Sequence, residues 1–522
     1  MEGSSATHSR QLITFTSDSL WTGALVACVS AGISFVLYWF LAAPDLTWQH
    51  QGADGGDLLS AAVSGGVPHP TGYPLYVLLL QAWLWVGKML APTASPARMG
   101  NLLSAILASA SVACTVLVVG LLVDAGRAKW WLAGATGLLW AVSPLLLSQA
   151  LITEVYTLHV LLVVAVVWAM IRVPNRPILI GILIGLGIAN HVTYILVLPA
   201  IIYVLVTSRR RELLAWRSLW AIAAALAVAG MLYIRIPLAA RANTVPPVNW
   251  GYADNWRGFL WLVGGEAYRA YLGDSTWREL GQRFVDSVQI VVAQYTPLGF
   301  LAAAAGLAYW DRVQPSLRTF AIFLLVPVGL YTIVYSTVDS EVYLLPAVWL
   351  MAVMIGAGMF AAGQLAANRL GIRRDRALWA GALLMLAGAV TLAATGAPKL
   401  SLRHDEEALH YLDTVAEVIE PGSILVSSGD RYTFALWYSA WASGDLLRQT
   451  PGLVLVNDAL YQFEWYRRLL GDLYPHVAGI DDGFSELLAQ NAHVRPIYFA
   501  EYLDSVPKEN QEPAGGIWRY LP

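Results

Sequence analysis

What most limits this chain is how often it returns to hydrocarbon. A bilayer core of roughly 30 Å needs about 20 consecutive apolar residues in helical form, and such runs recur over 20–43, 98–123, 130–148, 155–171, 177–190, 192–207, 218–238, 284–309, 319–337, 342–364 and 378–397. Helices that are apolar all round need lipid or a very large core around them. Composition agrees, since 57% of the 522 residues are hydrophobic and 13% charged, about half the ~25% charged share of a soluble chain. The expected fold class is therefore a polytopic α-helical membrane protein of about eleven transmembrane helices. Lys+Arg 32 against Asp+Glu 35 leaves a net charge of −3, so there is no basic surplus for a phosphate backbone and no nucleic-acid partner is expected. Cys28 and Cys114 lie within apolar runs and read as small buried hydrophobes, not as a disulfide or metal ligands.

One more apolar stretch, 73–90, follows a Pro-rich turn and is crowded with Trp and Tyr. If it does not cross, every second connection carries the basic residues: Arg127/Lys129, Arg172/Arg176, Arg209/Arg210/Arg211/Arg217, Arg312/Arg318 and Arg369/Arg373/Arg374/Arg376. The opposite turns around Gln149 to Glu154, Asn190/His191 and Asp339/Glu341 hold no Lys or Arg, as the positive-inside rule predicts for an outer face. The stretch 73–90 thus reads as a juxtamembrane element and the N-terminus as cytoplasmic. The first apolar run is too long for a signal-peptide core and is expected to be retained. Outer loops 44–97 and 239–283 then belong to a membrane domain 1–397, and the tail 398–522 forms a second, extracytoplasmic domain. In the tail, strands in SILVSS, GLVLV, RPIYFA and GIWRYL alternate with helices near 405–419, 432–441 and 459–473, which suggests a small α/β layer.

Chemistry is to be sought on the outer side. Asp54 and Asp57 follow the first span, three residues apart, where they share one helix face or simply favour the helix N-terminus. Pro68 to Pro74 packs three prolines and a glycine around His69 and Tyr73, a stiff turn that either fixes an imidazole beside the acids or is structural. Glu154 opens the fourth span, where an acid beside hydrocarbon is costly unless it has work to do. Asn190 with His191, and Asp339 with Glu341, interrupt apolar runs at two further outer turns. Arg235 and Arg241 end the seventh span, where a guanidinium can grip a lipid phosphate or snorkel to headgroups. No His/acid spacing of a zinc helix occurs, so no protein-held metal is expected, and there is no GxSxG elbow.

Taken together, Asp54-Gly55-Gly56-Asp57, His69-Pro70-Thr71-Gly72-Tyr73-Pro74-Leu75-Tyr76, Thr153-Glu154-Val155-Tyr156, Asn190-His191, Pro247-Val248-Asn249-Trp250-Gly251 and Asp339-Ser340-Glu341-Val342-Tyr343-Leu344-Leu345-Pro346 resemble a family of polytopic membrane proteins related to the protein O-mannosyltransferases. The tail's Ser428-Gly429-Asp430 and Leu436-Trp437-Tyr438 are similar to the same family. The resemblance implies a GT-C glycosyltransferase that takes a sugar, mannose or another hexose, from a polyprenyl-phosphate carrier, the eukaryotic relatives mannosylating receptor ectodomains. It implies catalytic Asp54, Asp57 and Glu154, with Trp250 joining His69, Tyr73, Asn190, His191, Arg235, Arg241, Asp339 and Glu341 in binding substrate. No cofactor is implied beyond the lipid-linked donor, the acceptor being protein, lipid or glycan, and the setting is a bacterial plasma membrane. Asp57 stands where the family usually has Glu, whereas Asp54 keeps the family's residue type.

An acceptor hydroxyl must lose its proton as it attacks the anomeric carbon, so a placed carboxylate is expected as general base, and Asp54 is that choice. Displacement in one step inverts the anomeric centre, and an arginine would stabilise the phosphate leaving group. A lipid-carrier flippase or transporter is the rival, since acids at helix ends also suit a translocation path. A membrane-anchored sensor would leave the acid-rich first loop without a role.

Overall fold

The computed structural model describes residues 17–123, 126–207, 211–273 and 275–522; Arg209 and Arg210, expected among the cytoplasmic basic residues, lie outside these. From the N-terminus, α1 (Ser17–Leu41) leads to a short α2 (Asp54–Ser64), then α3 (Pro74–Leu90), α4 (Pro96–Leu122), α5 (Ala128–Ala141) and α6 (Pro144–Gln149). There follow α7 (Tyr156–Arg172), α8 (Pro177–Asn190), α9 (Leu198–Thr207), α10 (Arg211–Tyr233), α11 (Arg235–Ala240) and α12 (Trp256–Val263). The membrane body closes with α13 (Trp277–Ala293), α14 (Thr296–Val313), α15 (Pro315–Val334), α16 (Leu345–Leu370) and α17 (Arg374–Leu400). Proline opens α3, α4, α6, α8 and α15, the helical position whose missing N–H costs nothing.

Among the described residues, six helices, α1, α4 and α17 among them, are long and apolar enough to cross a bilayer by themselves, with α3, α7, α8 and the stretch Val192–Thr207 as shorter apolar helices. Helix α16 is the buried axis of the body. At its crossing with α14 a Cβ on Gly306 would collide with the Met354 carbonyl, and one on Gly358 with that of Ala302. Small residues let two backbones touch where water is not there to drive association.

Two expectations need correction. The run 284–309 is not one span, because α13 and α14 meet at 93° beside Thr296, whose φ is +65°. Helix α13 is amphipathic and buries none of its residues. It is started by a capping box of Thr276 and Glu279. On one side Arg283 donates to the carbonyls of Thr332 and Ile333 at 3.0 and 2.8 Å, while Trp277, Phe284 and Val288 are exposed on the other. Such a pattern suits a helix lying in the membrane interface. Cys28 is exposed on α1, not buried, and Cys114 is only partly buried; both are free thiols.

The tail begins after α17 with α18 (Glu407–Val418) and a five-stranded sheet of β1 (Ile424–Ser427), β2 (Val454–Asn457), β3 (Ile497–Phe499), β4 (Gln511–Ala514) and β5 (Ile517–Tyr520), in the order β2-β1-β3-β5-β4. Strand β1 runs parallel to β2 and β3, while β5 is antiparallel to β3 and β4. The parallel centre is buried on both faces, which is why ILV and VLV read as continuous apolar runs. Strand β4, EPA between Gln and Gly, has no such run and escaped the sequence reading. Between the strands lie α19 (Asp430–Trp437), continued by a wide turn over Tyr438–Ala442, then α20 (Asp445–Gln449), α21 (Glu464–Leu473) and α22 (Phe484–Asn491).

Helix α19 is the tail's foot on the membrane domain. It packs on α2 so closely that a Cβ at Gly56 would strike the Phe434 carbonyl oxygen. Tyr438 donates to Asp45 at 2.8 Å, and Trp48 to the Arg431 carbonyl at 2.9 Å. The Arg431 guanidinium lies 3.9 Å over the Trp48 ring, a cation–π contact that adds to the joint.

Candidate active site

Helix α2 carries its acids at the first and fourth positions, and both reach His69. Asp54 makes no side-chain capping bond, and the cap position is Ala53, so capping does not account for it. Gly65, left-handed at φ +74°, ends the helix, and the chain then pairs with the second outer loop. The Val67 N–H donates to the Val248 carbonyl at 2.9 Å, and Trp250 N–H to that of Val67 at 3.1 Å. That short bridge delivers the Trp250 indole to Asp57.

Asp57 is wholly buried. Its Oδ2 accepts from the His69 backbone N–H at 2.8 Å and from Nδ1–H at 2.7 Å, and its Oδ1 from Trp250 Nε1–H at 3.0 Å. A carboxylate only accepts, so His69 must carry its proton on Nδ1. The other ring nitrogen, Nε2, faces Asp54 Oδ2 at 3.4 Å. The imidazole is thus strung between a sealed acid and an open one, for 35% of the Asp54 side chain remains accessible. Burial lowers the His69 pKa, yet the Asp54 and Asp57 carboxylates reverse this and hold it up at about 10. Burial raises Asp54 to about 7, His69 pulling it down while Asp430, Asp339 and Asp57 push it up. Burial, and Asp54 after it, holds Glu154 well above the ordinary carboxylate range.

A ring of aromatic side chains extends this centre. Tyr73 follows Gly72, at φ +83°, and donates its hydroxyl to the Pro70 carbonyl at 2.7 Å. Its ring sits 5.0 Å from His69 and 5.3 Å from His191. His191 accepts at Nδ1 from the Thr193 N–H at 3.1 Å, which leaves Nε2 as the donor of a neutral ring, burial keeping its pKa well below the usual value. Tyr156 lies 5.7 Å from His191 and donates to Asp339 Oδ2 at 3.3 Å. Asn190 donates to the Val155 carbonyl at 3.2 Å, while its buried Oδ1 has no partner. The turns bearing Glu154, His191 and Asp339 therefore do converge on the first loop.

Not every candidate joins them. Arg241 is exposed and turns its Nε to the Asp254 carbonyl at 2.6 Å. Glu341 is half-buried beside Asp339. Arg235 lies at the border, donating to the Gly66 carbonyl at 2.9 Å, with a buried second nitrogen that no group meets. Near it in the chain fold, Asn249 is 1% exposed with both polar side-chain atoms unpaired. The tail contributes what the sequence reading of the site left out. Phe434 stacks on His69 at 6.1 Å. Asp430 sits within electrostatic reach of Asp57, as does Tyr268 of the second outer loop. Glu501 steadies the turn before Asp430, accepting from the Ser428 and Gly429 N–H groups at 2.9 and 2.7 Å. The Ser-Gly-Asp triplet was the available signal for Asp430. Among the described residues, no group of three His, Cys, Asp or Glu is placed to share a metal ion.

Known proteins bear on this arrangement. Residues 54–214 match the family model described as Protein O-mannosyl-transferase TMEM260 N-terminal domain. No curated protein gives a significant match. Among solved structures, ArnT from Cupriavidus metallidurans bound to undecaprenyl phosphate is 13% identical, with a TM-score of 0.52 over 83% of this chain and 90% of its own. The same protein in the apo state gives 13% identity and a TM-score of 0.50 over 85% and 90%. The oligosaccharyltransferase of Archaeoglobus fulgidus is 12% identical, with a TM-score of 0.51 over 81% of this chain and 64% of its own. The chain is thus an integral multi-pass membrane protein that shares the fold of these two proteins, and its residues 54–214 match the model of that N-terminal domain.

Proposed function

We propose that this chain moves a hexose, mannose or a close relative, from a polyprenyl-phosphate carrier to an acceptor hydroxyl at the extracytoplasmic face, with inversion. The observation that carries the reading is the division of labour between two acids on one helix. Asp57 has its bonds filled by His69 and Trp250, whereas Asp54 is open and faces His69 Nε2 at 3.4 Å. A base held near pH 7 is matched to taking a hydroxyl proton at neutral pH.

In this mechanism the acceptor oxygen attacks the anomeric carbon from the side of Asp54, which takes the proton. The bond from that carbon to the phosphate oxygen breaks, and its electron pair leaves with the carrier phosphate. Arg235, with a free buried nitrogen, meets the leaving charge; Arg241, engaged with the Asp254 carbonyl, does not. Glu154, His191 and Asp339 orient the sugar, and Asp57 positions His69. No metal enters the scheme. Undecaprenyl phosphate bound to a protein of the same fold supports a polyprenyl-phosphate donor, and the arginine-rich connections support a cytoplasmic N-terminus with the tail outside.

The test is transfer or donor hydrolysis by purified protein with a panel of polyprenyl-phosphate monosaccharides, with EDTA and Asp54→Asn as parallel arms. Activity that survives EDTA and vanishes in Asp54→Asn is the expected result. Wild-type protein that neither hydrolyses nor transfers, yet moves labelled lipid across proteoliposomes, overturns it in favour of a flippase.

A further inference from the structure

The second outer loop and the tail enclose a cleft of about 390 Å³ that the reaction scheme leaves unused. That volume falls within the ~300–1,000 Å³ of small-molecule sites. Its walls are the turn Trp250–Tyr252 with α12 on one side and the approach to α21 on the other.

Three rings form its apolar part. Trp261 lies 5.1 Å from both Phe463 and Trp465, and Phe463 and Trp465 run nearly parallel at 19°. All three are only partly buried, so ring surface remains available. The Trp465 indole N–H is buried without a hydrogen-bond partner, a donor that a ligand oxygen would satisfy.

Around the rings stand planar polar groups of both kinds. Gln462 offers a donor and an acceptor, Glu464 accepts, and Arg257 and Arg467 donate in forks. Each arginine is already engaged: Arg257 faces Glu464 at 4.0 Å, Arg468 pairs with Asp254 at 2.6 Å, and Arg467 donates to the Tyr461 carbonyl at 2.6 Å. An anion therefore has no special claim on the cleft. Helices and a tight turn make up both walls, so there is no free strand edge for a polypeptide to extend. What does fit is a ligand of apolar C–H faces rimmed by hydroxyls, each able both to give and to take a hydrogen bond.

The cleft is also joined to the reacting centre. Trp465 lies 5.8 Å from Trp250, whose indole holds Asp57, the acid that fixes His69.

We propose that this cleft binds a neutral oligosaccharide segment of the acceptor, so that the chain extends or decorates a glycan. The assignment of that glycan as acceptor rests on the transferase reading above; the binding itself does not.

The full chain in nanodiscs would be titrated calorimetrically with mannotetraose, cellotetraose, chitotetraose and a Ser/Thr-rich peptide. One tetrasaccharide should bind, and Trp261→Ala should weaken it about tenfold, which is about 1.4 kcal/mol. Gln462→Ala, at an exposed position, should weaken it about fivefold and guards against a folding defect in the first variant. Binding of no tetrasaccharide overturns the proposal, as does equal binding by both variants or capture of the peptide in place of the glycans. Donor hydrolysis by the wild type in the same preparation is scored separately. Its absence sinks the transferase reading without touching the calorimetry, and its presence with no glycan binding sinks the cleft alone.

Discussion

Two corners of the same loop cluster differ in one respect, whether their polar atoms are satisfied. At Asp57 each carboxylate oxygen is met by an N–H from His69 or Trp250, and the residue is wholly buried. At the other corner, a nitrogen of Arg235 and both polar side-chain atoms of Asn249 are buried and unmet, although Arg235 and Asn249 adjoin the same Gly66-Val67 segment. Unpaired buried groups each cost about 1–3 kcal/mol. In the proposed reaction the saturated corner is scaffold and the unsaturated one meets the donor, with Asp54 open between them.

That contrast is most directly broken at Asp54. Asp54→Asn should cut transfer by about 10²–10⁴-fold, the range of general-base contributions, with the melting temperature nearly unchanged, since the amide keeps the shape of the carboxylate and its close polar contact, His69 Nε2, is at 3.4 Å. Steady-state transfer and a thermal melt of the same preparation check both halves. Asp57→Ala should do the reverse in emphasis. It strands a buried cation and an indole N–H and should cost about 3–5 kcal/mol of stability, read as a lower melting temperature whether or not donor is present. A variant that melts like wild type would remove the scaffold half of the comparison.

Arg235→Ala should act on the ligand side. Loss of a charge-assisted hydrogen bond of about 1.5–3 kcal/mol predicts a donor KM raised roughly tenfold or more, while Arg241→Ala, already bonded to the Asp254 carbonyl, leaves that KM within about twofold. Equal effects of the two variants would show that the unmet nitrogen of Arg235 is incidental.

Much of this was legible in the sequence because hydrocarbon length and turn chemistry are local. The apolar runs, the PHPTGYP turn and the strands ILVS and VLVN each declare themselves within a few residues. Long-range pairing does not. Nothing in GGD announces that Gly56 is small to admit the Phe434 carbonyl, nor in SGD that Asp430 faces the membrane domain's acids. The break between α13 and α14 was hidden for another reason. The apolar residues on the amphipathic helix run on into those of α14, so a window scan joins them, and only the polar alternation through Gln282, Arg283 and Asp286 separates interface from span.

The smallest effect is the most diagnostic, because it is read as a pH. With Asp54 pushed up to about 7, the rate should fall as pH drops below that value, the base becoming protonated, by up to tenfold per unit. The His69 cation pulls the Asp54 pKa down, so His69→Gln should shift this acidic limb to higher pH as well as lowering the rate. The same residue carries a stability signature of opposite sense. A pKa raised from 6.5 to about 10 gives stabilisation that is complete below pH 6.5 and is lost as pH rises through about 10. Melting temperatures taken from pH 6 to 10 should therefore decline in the wild type and decline less in His69→Gln. An acidic limb that stays in place in the variant would mean that His69 and Asp54 do not share a charge, and the imidazole would then belong wholly to the scaffold around Asp57.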